Sequence, residues 1–202
     1  MSRPRVLLAT RNRHKLAELR RILAGTDVEL LSLEDVPPYD EAPETGATFA
    51  DNALAKARDG ARHTGLPAVA DDSGLAVTAL GGMPGVLSAR WAGRHGDDLA
   101  NLQLVLDQLA DVPAGRRAAA FVCAAALVTP DGREQVAEGR MEGAIIDRPR
   151  GANGFGYDPI FVADGQDRTN AELGANAKDA ISHRGAAFRA LAPAIANAVA
   201  PN

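Results

Sequence analysis

The stretch Ala118–Thr129 (AAAFVCAAALVT) limits the possible folds more than any other part of the chain. It is an almost unbroken apolar run and reads as a buried strand. Asp131-Gly132 follows, the dipeptide of a tight hairpin, so Glu134–Met141 predicts a returning strand. The chain begins in another style. Arg5–Ala9 (RVLLA) predicts a strand, Leu16, Leu19 and Leu23 predict a helix that stops at Gly25, and Val28–Leu33 predicts a second strand. Strands linked through helices, together with a hairpin, point to a mixed α/β sheet rather than a purely doubly wound one.

The rest of the pattern extends this frame. Glu34–Gly46 (EDVPPYDEAPETG) is a loop rich in proline and acid. Thr48 caps a helix predicted over Phe49–Thr64, with Phe49, Ala53, Ala57 and Ala61 on one face. Leu66–Ala70 predicts a strand running into an acidic turn, Asp71-Asp72-Ser73-Gly74, and Leu75–Leu80 continues it. Gly81–Gly96 reads as a long loop, Leu99–Leu109 as an amphipathic helix and Glu142–Ile146 as a further strand. Gly151–Asp158 is a glycine-rich loop before a short strand, Ile160–Val162, and Ser182 opens a last helix towards Val199 despite Pro193. The 202 residues suffice for one domain over residues 1–202, with two lobes and a real core. Alanine supplies 41 residues and aromatics only 8, so that core must be built from Val, Leu, Ile and Ala.

Charge narrows the function. There are 22 basic and 26 acidic residues, a net charge of −4, which argues against a coat on a nucleic-acid polymer. No polybasic stretch addresses a membrane surface, and the apolar runs fall short of the roughly 20 residues that span a bilayer. Met1–Thr10 carries only the short run Val6–Ala9, so no signal peptide is expected. A single cysteine excludes an intramolecular disulfide and a CxxC metal site, and a reducing, cytoplasmic setting is expected. Of the 22 basic residues only Lys15, Lys56 and Lys178 are lysines, which marks three positions where a compact point charge could matter.

Four constellations could carry chemistry. Thr10-Arg11-Asn12-Arg13-His14-Lys15 joins a strand to a helix, which aims backbone N–H groups and the positive helix end at an anion. Asn12 would equally serve as a plain helix cap and Lys15 as a solvated cation, and no Walker-type loop is present. Asp40, Glu41, Glu44, Asp71 and Asp72 form an acidic set. Adjacent side chains of an extended segment point to opposite faces, so one of Asp71 and Asp72 could ligate a hard cation while the other supports it or activates water. Oxygen donors without His or Cys favour Mg²⁺ over Zn²⁺. In Gly151–Asp158, Phe155 and Tyr157 stand among glycines, where a planar ligand could approach or where the rings could complete a core. Lys178, His183 and Arg184 lie near the start of the last helix, where cations are unfavourable to the dipole. Cys123 reads as a buried small hydrophobe, Ser73 and Ser88 lack a nucleophile elbow, His63 and His95 read as surface residues, and Trp91 reads as packing under its loop.

Five segments in order along nearly the whole chain resemble the inosine triphosphate pyrophosphatase family, the XTP/dITP diphosphatases that clear non-standard purine nucleotides. They are ATRNRHKLAEL (Ala9–Leu19), ETGATFADNALAKA (Glu44–Ala57), PAVADDSGLAVTALGGMPGVLSARWAG (Pro67–Gly93), GFGYDPIF (Gly154–Phe161) and ISHRGAAF (Ile181–Phe188). The resemblance implies a mixed α/β fold in which a long central sheet with helical lobes flanks a cleft, a homodimer, and Mg²⁺-dependent hydrolysis of ITP, dITP or XTP to the monophosphate and pyrophosphate. It implies that Thr10, Asn12 and Lys15, with Arg11, Arg13 and His14 between them, bind phosphate, and that Lys56 lies near the phosphates. Asp72 is implied as general base and metal ligand, Glu44 as a second acid at the metal, and Ser73 as a substrate contact. Phe155, Gly156, Tyr157 and Asp158 are implied as the base loop, with Lys178, His183 and Arg184 as further nucleoside contacts. Members often carry two acids before Thr-Gly, where this chain has Pro43-Glu44, so either Glu44 or one of Glu41 and Asp40 completes the metal site.

Elementary chemistry agrees. A triphosphate is a dense anion that lysines, Arg184 and Mg²⁺ can neutralise, and cleavage at the α-phosphorus needs an in-line water and a base. A donor facing O6 of the base welcomes hypoxanthine and rejects adenine, which would set donor against donor. Two other readings stay open on sequence alone: a pyrophosphatase for modified pyrimidine or methylated nucleotides, and a nucleotide sensor without turnover.

Overall fold

The structure is a computed structural model, and it describes residues 3–40 and 43–199. Six strands form one sheet in the order β2-β1-β3-β4-β5-β6, with β1 Arg5–Leu8, β2 Glu29–Ser32, β3 Ala68–Val77, β4 Ala118–Val128, β5 Glu134–Ile145 and β6 Phe161–Ala163. The helices are α1 Arg13–Ile22, α2 Phe49–Thr64, α3 Asp98–Gln108, α4 Ala175–Ile181 and α5 His183–Ala198. β1 pairs in parallel with β2 (Arg5 opposite Glu29) and with β3 (Leu7 opposite Ala68), while β5 and β6 run antiparallel (Gly143 opposite Ala163). The sheet is therefore mixed, as the helix-linked opening and the Asp131-Gly132 hairpin predict.

The chain divides into two compact units. One takes the residues up to Asp72, Cys123–Gly139 and those from Arg184 on, and the other takes Ser73–Val122 and Arg140–His183. β3, β4 and β5 each run along the backbone from one unit into the other.

In the first unit the alternation of strand side chains makes two cores. Val6, Leu8, Val69, Cys123, Ala125 and Leu127 pack with Leu19 of α1 and Phe188, Leu191 and Ile195 of α5. Their neighbours Leu7, Ala9, Ala68, Ala70, Ala124, Ala126 and Val128 face the other way and meet Ala53, Ala57 and Ala61 of α2. This second interface is nearly all alanine, which is where much of the alanine excess is used. Thr48 and Asp51 form a capping box that starts α2, and Gly65, in the left-handed region, ends it.

In the second unit Leu75, Val77, Phe121, Met141, Ile145 and Phe161 form a core with Leu102, Val105 and Leu109 of α3. Phe121 and Phe161 meet edge to face at 4.8 Å between centroids.

Three expectations change. Asp71-Asp72-Ser73-Gly74 is not a turn but the middle of β3, a strand that lies between β1 and β4 in the sheet. Glu134–Met141 and Glu142–Ile146 are one strand, β5: a Cβ at Gly143 would lie 2.2 Å from the Val162 carbonyl oxygen, so this glycine marks close approach of β6 and not a break. Within the expected loop Gly81–Gly96, residues Gly85–Arg90 form a 3-10 helix, preceded by another at Thr78–Leu80. The last helix begins at His183, directly after Ser182, and runs through Pro193 as expected, and a short helix, α4, precedes it.

Candidate active site

In the first unit the loop from β1 to α1 carries the predicted phosphate segment. Asn12 is the cap of α1: its side chain accepts from the backbone N–H of His14 at 2.9 Å and of Lys15 at 3.1 Å, and Thr10 Oγ1 accepts from the Asn12 N–H at 3.3 Å. Two N–H groups expected to face an anion are thus taken by the cap, and what remains for a ligand is the Asn12 amide N–H, the Thr10 hydroxyl and the positive helix end. Arg11 donates to the Tyr39 carbonyl and Arg13 reaches Glu34 at 3.8 Å, both at the surface with His14.

Lys15, one turn on, points its ammonium 3.0 Å from Asp71 Oδ2. Asp71 also takes Arg184 Nε at 3.2 Å, and Arg184 pairs with the buried Glu18. Lys15, Asp71, Arg184 and Glu18 therefore form one alternating chain of charges, of which the last three are almost fully buried. Burial alone would raise the Asp71 carboxyl, but Lys15 and Arg184 outweigh it and hold the group far below its ordinary value. Arg184 is likewise held charged against burial by Asp71 and Glu18.

Asp72 projects from the other face of β3, towards α2. Its Oδ2 accepts from Asn52 Nδ2 at 2.9 Å, and its Oδ1 lies 3.8 Å from Lys56 Nζ. Lys56 lies 2.9 Å from Glu44 Oε1, so one ammonium spans two carboxylates. Asn52 Oδ1 accepts the Gly46 N–H at 2.8 Å and so fixes the loop that presents Glu44. Here burial wins: desolvation raises the Asp72 pKa, with Lys56, Lys15 and Asn52 opposing it. Burial lowers the Lys56 ammonium, yet Asp72, Asp71 and Glu44 together leave its pKa raised. Two adjacent carboxylates are thus pushed in opposite directions by what faces them across the strand.

Ser73 follows Asp72 in β3, half-buried, and opens the second unit. In that unit the loop before β6 is built on Asp158. Its Oδ2 accepts the Phe155 N–H at 2.9 Å and the Lys178 ammonium, and its Oδ1 accepts Asn170 Nδ2 at 3.2 Å. Gly154 has φ +73°, and a Cβ there would lie 2.1 Å from Asp158 Oδ2, so only glycine fits. Lys178 stands 5.0 Å from the centroid of the Phe155 ring. The Gly156 N–H donates to Asp98 Oδ2 at 2.9 Å. Tyr157 turns into the core, where its hydroxyl donates to the Ser88 carbonyl at 2.8 Å, and of the two loop rings Phe155 is the more exposed. His183 is buried and stacks on Phe121 at 4.9 Å.

The structure thus brings together Lys15, Lys56, Glu44, Asp71, Asp72 and Arg184 in one unit, and Phe155, Asp158 and Lys178 in the other. Glu41 lies outside the described residues. Sequence reading missed Glu18, Asn52, Asp98 and Asn170. Spacing offered a signal for two of them: Asn52 precedes Lys56 by one helical turn, and Glu18 follows Lys15 by three residues.

The sequence model of the Ham1 family matches residues 6–194. A dITP/XTP pyrophosphatase of Nocardia farcinica is 65% identical over 199 residues, 97% of either chain. One of Mycobacteroides abscessus is 63% identical over 198 residues, 96% of either chain. Among solved structures, a HAM1 protein from Coxiella burnetii superimposes with a TM-score of 0.84 at 41% identity, covering 96% of this chain and 99% of its own. With a match from β1 to α5 and such identity over almost its full length, the chain belongs to the Ham1 family.

Proposed function

We propose that the chain hydrolyses non-standard purine nucleoside triphosphates (ITP, dITP and XTP) to the monophosphate and pyrophosphate. The names of its relatives support the substrate class. One observation carries the chemistry: Asp72 stands against Asn52 and Lys56, with Glu44 on the same ammonium, while Asp71, on the opposite face of β3, anchors Lys15.

The donors available to a metal are Asp72 and Glu44, both against the Lys56 ammonium, and both offer hard oxygens. Among the described residues no three or more His, Cys, Asp or Glu stand together as a metal cage. Mg²⁺ fits such a pair, since it keeps several waters and takes one or two carboxylates together with substrate phosphates. Asp72 and Glu44 would hold it, and when bound it supplies charge neutralisation at the phosphate oxygens. Lys15 and Lys56 add fixed positive charge for the phosphates, with Thr10 and Asn12 as donors. A water oxygen attacks the α-phosphorus, the bond to the bridging oxygen breaks, pyrophosphate leaves, and Asp72 takes the water proton. Phe155 offers the ring on which the purine stacks, with Gly156, Asp158 and Lys178 around it and Tyr157 fixing the loop from the core.

Among the described residues no helix is long and apolar enough to cross a membrane. A cytoplasmic setting is proposed on the single, buried thiol of Cys123, and a homodimer on the family resemblance. Light scattering on the purified chain should give the mass of two chains.

With Mg²⁺, purified protein should release pyrophosphate from ITP and XTP far faster than from ATP or GTP. Equal rates on all four, or orthophosphate as the first product, overturn the assignment.

A further inference from the structure

Asn170 is a fully buried amide in the second unit, in the 3-10 turn Asn170–Glu172. Its Nδ2 donates to Asp158 Oδ1 at 3.2 Å, but its own Oδ1 is buried with no hydrogen-bond partner among the described residues. An apolar side chain of that size would avoid the stranded acceptor, and sequences break such local rules chiefly where function requires it.

The turn does not need the amide to hold its place. The Ala171 carbonyl accepts the Asn153 N–H at 3.0 Å, the Leu173 carbonyl accepts Asn153 Nδ2 at 3.1 Å, and Thr169 Oγ1 donates to the Arg150 carbonyl at 2.8 Å. What the amide does is fix the Asp158 carboxylate. With Oδ1 held by Asn170, Oδ2 faces the Phe155 N–H and the Lys178 ammonium, and these two set the Phe155 ring and the cation beside it. Without that donor the carboxylate can turn about its last torsion.

We infer that Asn170 is a positioning residue for base recognition: acting through Asp158, it holds Phe155 and Lys178 in the arrangement that receives the purine. The inference rests on the reading that the Phe155 loop takes the base, and the two can fail separately.

Three variants are compared with the parent chain in kcat and KM for ITP and XTP and in thermal melting: Asn170→Leu, Asn170→Ser, and Phe155→Ala. Asn170→Leu strands the buried Asp158 Oδ1 and should melt lower, and it should also raise KM about fivefold or more, with kcat changed less than KM. Asn170→Ser, too short to reach Asp158, should raise KM similarly and covers the case in which leucine does not fit. A purely structural amide would lower Tm and leave KM unmoved, and that result in both variants overturns the inference. If Phe155→Ala leaves KM unchanged, the base-loop reading itself falls. If Phe155→Ala raises KM and neither Asn170 variant does, the loop reading stands and the role of Asn170 is refuted.

Discussion

At Asp71 and Asp72 adjacent carboxyl groups receive opposite treatment, and the cause is the strand. Extended backbone sends one side chain to Lys15 and Arg184 and the next to Asn52 and Lys56. Asp71 meets two close cations, so Coulomb attraction beats desolvation; Asp72 has a neutral amide at hydrogen-bond distance and a cation at 3.8 Å, so desolvation wins. Asp72→Asn should therefore lower turnover of ITP by about 10²–10⁴ if the carboxylate is the base. The fold should survive, because the amide keeps the shape and can still accept from Asn52, and Lys56 keeps Glu44. Pyrophosphate release and thermal melting on the same preparation check both halves, and full turnover in the variant removes Asp72 from the mechanism. That the two carboxylates face opposite ways was legible in the sequence, because a strand followed by two acids already implied two faces. The partners were not. Asn52 and Arg184 are 20 and 113 residues away from their aspartates, and no local pattern announces such pairs.

The element that sequence misread is β3, and the reason is physical. Asp, Asp, Ser and Gly are poor strand formers and good turn formers, so local propensity favours a turn. Tertiary partners override it: the carboxylates are matched by cations, and Gly74 is required by contact. Its missing Cβ would lie 2.3 Å from Ser88 Oγ and 2.5 Å from the Gly85 carbonyl oxygen. Ser88 Oγ cannot step aside freely, since it accepts the Leu75 N–H at 2.9 Å and donates to Gly85 O at 2.7 Å. Gly74→Ala should cost about 1–3 kcal/mol in urea unfolding. Gly115→Ala, at a site with nothing within 4 Å, should stay within about 0.5 kcal/mol. Equal stability of the two variants would contradict the packing argument. α2 is the opposite case. Thr48, Asp51, the alanine stripe and Gly65 all point to one helix, and both of its ends are where local chemistry places them.

At the scale of the molecule, stability and pH are linked through two buried acids that sit in different cores. Cys123 lies in the first unit and Tyr157 in the second. Burial pushes the Cys123 thiol above its ordinary 9.0 and the Tyr157 phenol above its ordinary 10.0. Both groups are neutral when folded, so their stability is complete below those ordinary values. As pH rises past them the unfolded chain releases protons that the folded chain keeps, and the folded state loses ground. One unit above its ordinary value, at pH 10.0, Cys123 should account for a loss on the order of 1 kcal/mol. Cys123→Ala should remove that increment from the difference between urea unfolding at pH 7.5 and at pH 10.0, and Tyr157→Phe should flatten the steeper fall above it. Because β3, β4 and β5 each run along the backbone from one unit into the other, unfolding either half would leave three strands of the other half ending at a disordered chain. Both substitutions should therefore act on one shared transition. Two separate transitions, each sensitive to only one of the substitutions, would mean that continuous strands do not suffice to couple the units.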